Sequence, residues 1–164
     1  MSQLELAEFN QAEPDRVRAL LTPCLAVPRW VDTVLAGRPY DNVRALLAAA
    51  EAATPLFPAE IHEAMAAHPR IGEKATGSST RASWSHSEQS GVDGTTAEKF
   101  RAANVDYEQR FGHIFLVCAS GRSGEELLAN LRDRLDNDPE SELAVAGREL
   151  AKIARLRLEK VVSA

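Results

Sequence analysis

Four prolines, Pro14, Pro28, Pro58 and Pro139, each stand immediately ahead of an apolar series with helical spacing, and this pattern constrains the fold more than any other feature of the chain. Proline is tolerated in the first turn of a helix, where its missing N–H costs nothing, but it breaks a helix interior or a central strand. Behind Pro14 come Val17, Leu20, Leu21 and Cys24; behind Pro28, Trp30, Val31 and Val34; behind Pro58, Ile61 and Met65. Behind Asp138-Pro139, Leu143, Leu150, Ile153, Ala154 and Leu158 predict a long last helix ending near Val161. Further starts come from side chains that can cap a helix. These are Asn10-Gln11-Ala12-Glu13 ahead of Pro14, Asp41 ahead of Val43, Leu46, Leu47 and Ala50, Thr95-Thr96-Ala97-Glu98 ahead of Phe100, Ala103, Tyr107 and Phe111, and Ser123-Gly124-Glu125-Glu126 ahead of Leu127, Leu128, Leu131 and Leu135. Breakers fall at Gly37-Arg38-Pro39, Thr54-Pro55 and Gly112.

Only Ile114-Phe115-Leu116-Val117-Cys118-Ala119 is strongly apolar without that period. No partner strand is evident for it, so it is expected as a buried extended segment. The sum is an all-α single domain over residues 1–164, a bundle of seven or eight helices with one long active-site loop. Scarce aromatics, 5% of residues, agree with helix over sheet. At 164 residues the chain can bury a core without staples.

The net charge of −5 and the lack of a basic stripe argue against a nucleic-acid partner. No apolar run approaches the roughly 18 residues of a membrane span. Cys24 and Cys118 lack metal-ligand spacing, and with no secretory signal they are expected as reduced thiols of a cytoplasmic protein.

Candidate chemistry gathers around the stretch from Pro69 to about Ala82, rich in Gly, Ser, Thr and Lys and without hydrophobic period. A loop that long in a compact domain is usually functional. Before it, a helical run from Pro58 to Ala67 stops at His68 because Pro69 disfavours helical geometry at the residue it follows. A histidine held at such a corner can donate or accept a proton near neutral pH; the plain alternative is a helix C-terminal histidine favoured by the dipole. Beyond the loop lie Trp84-Ser85-His86-Ser87-Glu88-Gln89. Glu88 beside His68 would raise the imidazole pKa and hold its tautomer, while Ser85 and Gln89 would offer neutral hydrogen bonds to a polar ligand. Alone, Glu88-Gln89 is an ordinary cap or solvated pair. Arg157, among Lys152, Arg155 and Lys160, fits a helix-terminal cation; facing the site, its fork would match a carboxylate.

Other patterns fail. His62-Glu63 and His68 are spaced H-E-x-x-x-x-H, and positions six apart are rotated by about 240° on a helix, so they do not make the zinc helix that H-E-x-x-H makes. No metal site is expected. Gly72-Glu73-Lys74 and Gly77-Ser78-Ser79 do not form a phosphate loop, and Ser85, His86 and Ser87 lack a nucleophile elbow.

Four ordered motifs are together more specific than any of these. They are His68-Pro69-Arg70-Ile71-Gly72-Glu73-Lys74, Trp84-Ser85-x-x-Glu88-Gln89, Arg110-Phe111-Gly112-x-x-Phe115-Leu116-Val117-Cys118-Ala119-Ser120-Gly121-Arg122, and Lys152-Ile153-x-x-Leu156-Arg157-Leu158. With them the chain resembles, over nearly its whole length, the 2-oxo-4-hydroxy-4-carboxy-5-ureidoimidazoline (OHCU) decarboxylase family of urate degradation. The resemblance implies a cofactor-free, all-helical homodimer that converts OHCU to (S)-allantoin and carbon dioxide. It places catalysis on His68 and Glu88, and substrate contacts on Pro69, Ser85, Gln89, Arg157 and the backbone of Phe115, Leu116, Val117, Cys118 and Ala119. His113 stands where an apolar residue is common in the family. A relative acting on another ureido acid, and a non-catalytic helical interaction module, remain the alternatives.

Overall fold

The computed structural model describes residues 3–71, 84, 87–92 and 94–164, residues 94 and 95 by backbone alone. Eight helices are present among the described residues: α1 (Leu6–Gln11), α2 (Pro14–Leu21), α3 (Pro28–Ala36), α4 (Val43–Ala52), α5 (Pro58–Met65), α6 (Gly94–Phe111), α7 (Gly124–Arg134) and α8 (Pro139–Val161). The all-α expectation holds, with one addition. Leu4–Glu5 (β1) pairs in parallel with Val162–Ser163 (β2), Leu4 opposite Val162, tying the two ends of the chain together. A two-residue strand leaves no periodic signal in sequence, so it was not anticipated.

All four expected prolines sit in the first turn of their helices. Ser123 caps α7 by accepting from the Glu126 amide at 3.1 Å, and Asp138 caps α8 by accepting from the Ser141 amide at 3.0 Å and its hydroxyl at 2.6 Å. Three caps differ from expectation, the first because α6 already begins at Gly94, which puts Thr95 inside the helix rather than at its cap. The N-cap of α4 is Asn42, whose side chain accepts from the Ala45 amide at 2.8 Å, one residue beyond Asp41. Asn10 caps nothing: it donates to the Tyr40 carbonyl and accepts from the Tyr40 amide, both at 2.9 Å, pinning α1 to the turn before α4. The amide side chain matches both backbone groups of one residue, and that tertiary match outweighs a local cap. α6 ends as expected, with Gly112 at φ +76° and its amide on the Glu108 carbonyl at 2.8 Å.

The core has two parts. The larger joins α1–α5 and α8 around Trp30, Leu46, Leu158 and Trp84. The smaller lies under α6 and α7 and holds Ile71, Phe100, Tyr107, Phe115, Val117, Ala119, Leu127 and Leu131. The segment 114–119 is extended, as expected, and runs between them. Leu116 packs into the first core while Phe115, Val117 and Ala119 pack into the second, the two-residue alternation of an extended chain.

One buried ionic network joins α6, α7, α8 and this segment. Glu142 is fully buried and accepts from Arg134 Nε at 2.9 Å and Nη2 at 2.6 Å, from Asn137 Nδ2 at 3.1 Å, and from the Tyr107 hydroxyl. Arg134 also donates from Nη1 to the Leu116 carbonyl at 2.8 Å, with its guanidinium 4.5 Å from the Phe115 ring centre. Burial and the neighbouring carboxylate push the Tyr107 hydroxyl far above its ordinary range, so it stays a donor.

Two outcomes follow from these contacts. Glu142→Gln leaves the Arg134 charge buried without its counter-ion and is expected to cost about 3–5 kcal/mol in urea unfolding; a loss under about 1 kcal/mol would show the network to be incidental. The Ser141 hydroxyl and amide hold the Asp138 carboxyl below its ordinary value of 3.8. Its stabilisation is therefore present above that value and disappears as pH falls through the lower folded one. Asp138→Asn, which keeps a capping oxygen, should flatten that acid limb of the stability–pH curve; an unchanged limb would assign it to other carboxylates.

Candidate active site

His68, Pro69, Glu88 and Gln89 line one small cavity with Phe115, Leu116, Val117, Cys118 and Ala119, and with Ile71 and Ile153. The described walls enclose about 20 Å³, room for roughly a single water. Larger hollows lie elsewhere, about 470 Å³ beside Arg101 and Asn104 and about 520 Å³ between α4 and α8. Neither brings an imidazole to a carboxylate. The small cavity carries that pairing of groups and is the better chemical candidate.

Each wall arrives by a separate local device. α5 ends at Met65, two residues earlier than the sequence suggested, and a tight turn carries the chain on. Its bonds run from the Ala67 amide to the Ala64 carbonyl at 3.1 Å and from the His68 amide to the Met65 carbonyl at 3.0 Å. Pro69 then leaves helical geometry. Beyond the corner, Arg70 grips Glu108 of α6 at 2.8–3.0 Å, and Asn104 Nδ2 donates to the Ile71 carbonyl at 3.0 Å. The corner bearing His68 is thus clamped from both sides. Ser85 lies outside the described residues, as do residues 72–83, which hold most of the loop expected from Pro69 to about Ala82.

Glu88 is buried, and its carboxylate takes both prongs of Arg157, Nε to Oε2 at 2.9 Å and Nη2 to Oε1 at 2.8 Å. Arg157 is 1% exposed, donates also to the Pro23 carbonyl at 2.9 Å, and lies 5.3 Å from the Trp84 ring centre. Its fork, expected from sequence either at a helix end or on a substrate carboxylate, is occupied by the protein's own Glu88. Arg157 stands behind the cavity wall and holds the acid in place.

Both thiols are quiet. Burial pushes Cys24 up to about 12, with Arg157 pulling it back and Glu88 adding to the rise. Burial also raises Cys118, a cavity-wall residue. Neither is a thiolate nucleophile near neutral pH. Among the described residues no group of three or more His, Cys, Asp or Glu is placed to hold a metal ion, and no helix is long and apolar enough to cross a membrane.

Several participants went unread in the sequence: Ile71, Ile153, the Pro23 carbonyl, Arg134 and Glu149. One signal was available. Glu142, Glu149 and Arg157 recur with Ala146 and Ile153 on a single face of α8, and all five are buried. Charges spaced with the apolar stripe of a helix belong to the interior and need partners there.

The Arg157–Glu88 pair makes a direct prediction. Arg157→Met and Glu88→Gln, singly and together, should show a coupling of about 0.5–3 kcal/mol in urea unfolding, as residues in contact do. Strict additivity would mean that the two side chains do not hold each other.

The family model for OHCU decarboxylase matches residues 10–159. The chain is 42% identical over 107 residues to the uric acid degradation bifunctional protein TTL of Arabidopsis thaliana, covering 62% of this chain and 33% of that protein. It therefore spans about a third of that relative's length. It is 30% identical over 146 residues to the 2-oxo-4-hydroxy-4-carboxy-5-ureidoimidazoline decarboxylase of Amia calva, covering 85% of this chain and 81% of that one. A crystal structure of OHCU decarboxylase in the presence of (S)-allantoin superposes with a TM-score of 0.72 at 25% identity, over 91% of this chain and 97% of the other. With the ordered motifs and the helical fold in agreement, the chain belongs to the OHCU decarboxylase family.

Proposed function

We propose that this protein decarboxylates OHCU to (S)-allantoin without a cofactor, using His68 and Glu88 as the proton-handling pair. The observation that carries the reading is their convergence: an imidazole from the corner after α5 and a carboxylate from beyond the loop line one cavity, in a chain of this family.

The chemistry suits these groups. When the C–COO⁻ bond breaks, carbon dioxide leaves and the bonding pair passes into the neighbouring C=N of the ring. The nitrogen of that C=N takes up a proton, the hydroxyl on the former carboxyl-bearing carbon loses its proton as its C–O becomes a carbonyl, and the adjacent carbon gains a proton on one face. One proton is moved and one is taken up overall. A fixed imidazole is suited to the carbon, and Glu88, oriented by Arg157, to the hydroxyl. Donors preorganised in a site shut off from water stabilise the developing charge without reorganising during reaction. Gln89, Pro69, Ser85 and the 115–119 backbone orient ring and ureido groups. Arg157 contributes by holding Glu88 with Nε and Nη2 while its Nη1 grips the Pro23 carbonyl. The lining side chains part to admit the substrate, the scale of change that side-chain rotamers commonly make on binding. A homodimer acting in the cytoplasm belongs to the same reading and rests on the family resemblance.

Circular dichroism of freshly prepared OHCU tests it, because enzymatic protonation yields one hand of allantoin and spontaneous decay yields both. The wild type should produce the (S) signal. His68→Asn should lower the rate about 10²–10⁴-fold, the usual worth of a positioned acid–base group, with helical CD intact. Racemic product with the wild type would turn attention to another ureido acid or to an interaction module; an unchanged rate in His68→Asn would remove that residue from the reaction.

A further inference from the structure

Residues 115–119 form one wall of the cavity, yet they belong to no sheet. An extended chain sends the N–H and C=O of alternate residues to opposite edges. In a sheet a partner strand would decide which edge is taken. Here two charged side chains do that. Arg134 Nη1 donates to the Leu116 carbonyl at 2.8 Å, and Glu149 Oε1 accepts from the Cys118 amide at 3.2 Å. Residues 116 and 118 share an edge, and that edge is held against α7 and α8. Among the described residues, no hydrogen bond engages the N–H or C=O of Phe115 or Val117, or the N–H of Ala119.

Glu149 itself is 6% exposed, an acid buried four residues before the cavity-wall residue Ile153 and eight before Arg157 on the inward face of α8. Its other oxygen meets Lys152 Nζ at 2.6 Å, so its charge is neutralised from the solvent side. A buried carboxylate needs such partners to persist.

We infer that Glu149 is a positioning residue: by engaging the Cys118 amide it fixes the rotation of the segment and so turns the Val117 and Ala119 amides toward the substrate. This rests on the decarboxylase reading and adds to it a residue that touches no reacting atom. The same helix face then serves the site twice, holding the acid through Arg157 and the backbone wall through Glu149.

The test separates anchoring from activity. In the wild-type protein without ligand, amide exchange followed by NMR should be about tenfold or more slower at Cys118 than at Val117, the worth of one buried hydrogen bond. Saturating (S)-allantoin should slow Val117 and Ala119 and leave Cys118 as it was. In Glu149→Ala, KM for OHCU should rise about tenfold while kcat changes less, and Cys118 exchange should accelerate by a similar factor. Glu149→Gln retains an accepting oxygen and should restore both. Should the alanine variant not fold, the wild-type exchange pattern and the glutamine variant still decide. Equal exchange at Cys118 and Val117, or an unchanged KM in folded Glu149→Ala, overturns the proposal. Wild-type protein that leaves OHCU unconverted overturns the decarboxylase reading instead, and the Cys118 exchange rates then report the anchoring by themselves.

Discussion

Three charged residues buried along one face of α8 organise the molecule. Glu142 binds Arg134 and Tyr107, Glu149 binds the Cys118 amide, and Arg157 binds Glu88. The helix spaces them seven and eight residues apart, so each reaches a different part of the chain from the same side. An unpaired charge in a protein interior is costly, by several kcal/mol after relaxation, and this cost makes each pairing obligatory in the native state. α8 thereby ties α6, α7, the extended segment and Glu88 into one arrangement.

The hydrophobic part of the fold places these groups without specifying their contacts. α2, α3 and α4 pack in succession, α5 lies on α8, and α6 lies on α7. The two cores meet along residues 114–119, and the cavity opens at that seam, where neither core closes completely. A seam is a good place for chemistry because one side can supply rigid backbone while the other supplies a titratable side chain. Here the corner at His68 comes from α5, the acid from the chain before α6, and the wall from between the cores. The clamp of Arg70 on Glu108 and of Asn104 on Ile71 links the histidine corner to α6 in the same way.

Elements whose signals are local were legible in the sequence. The four helix-opening prolines, the caps at Ser123 and Asp138, the stop at Gly112 and the extended run at 114–119 all stand where local chemistry places them. Asn10 was misread because its side chain fits the backbone of Tyr40, thirty residues away, better than it fits its own helix. Asp41 was off by one, since Asn42 has the same capping chemistry and the better register. The short pairing of Leu4–Glu5 with Val162–Ser163 left no pattern to read.

At the candidate site, residue type and order were legible: a histidine before a proline, an acid beyond a loop, an apolar extended run, and an arginine in the last helix. Their pairing was not. By itself the sequence determined an all-helical chain and the identity of the groups that could carry proton chemistry, because capping, proline geometry and apolar period act over a few residues. Only the tertiary structure decided that Arg157 faces inward onto Glu88, that Glu149 takes the place of a partner strand, and that Arg134 closes on Glu142. Those choices are made by desolvation: a charge finds its partner when packing removes water from both, and which partner lies within reach depends on the fold as a whole.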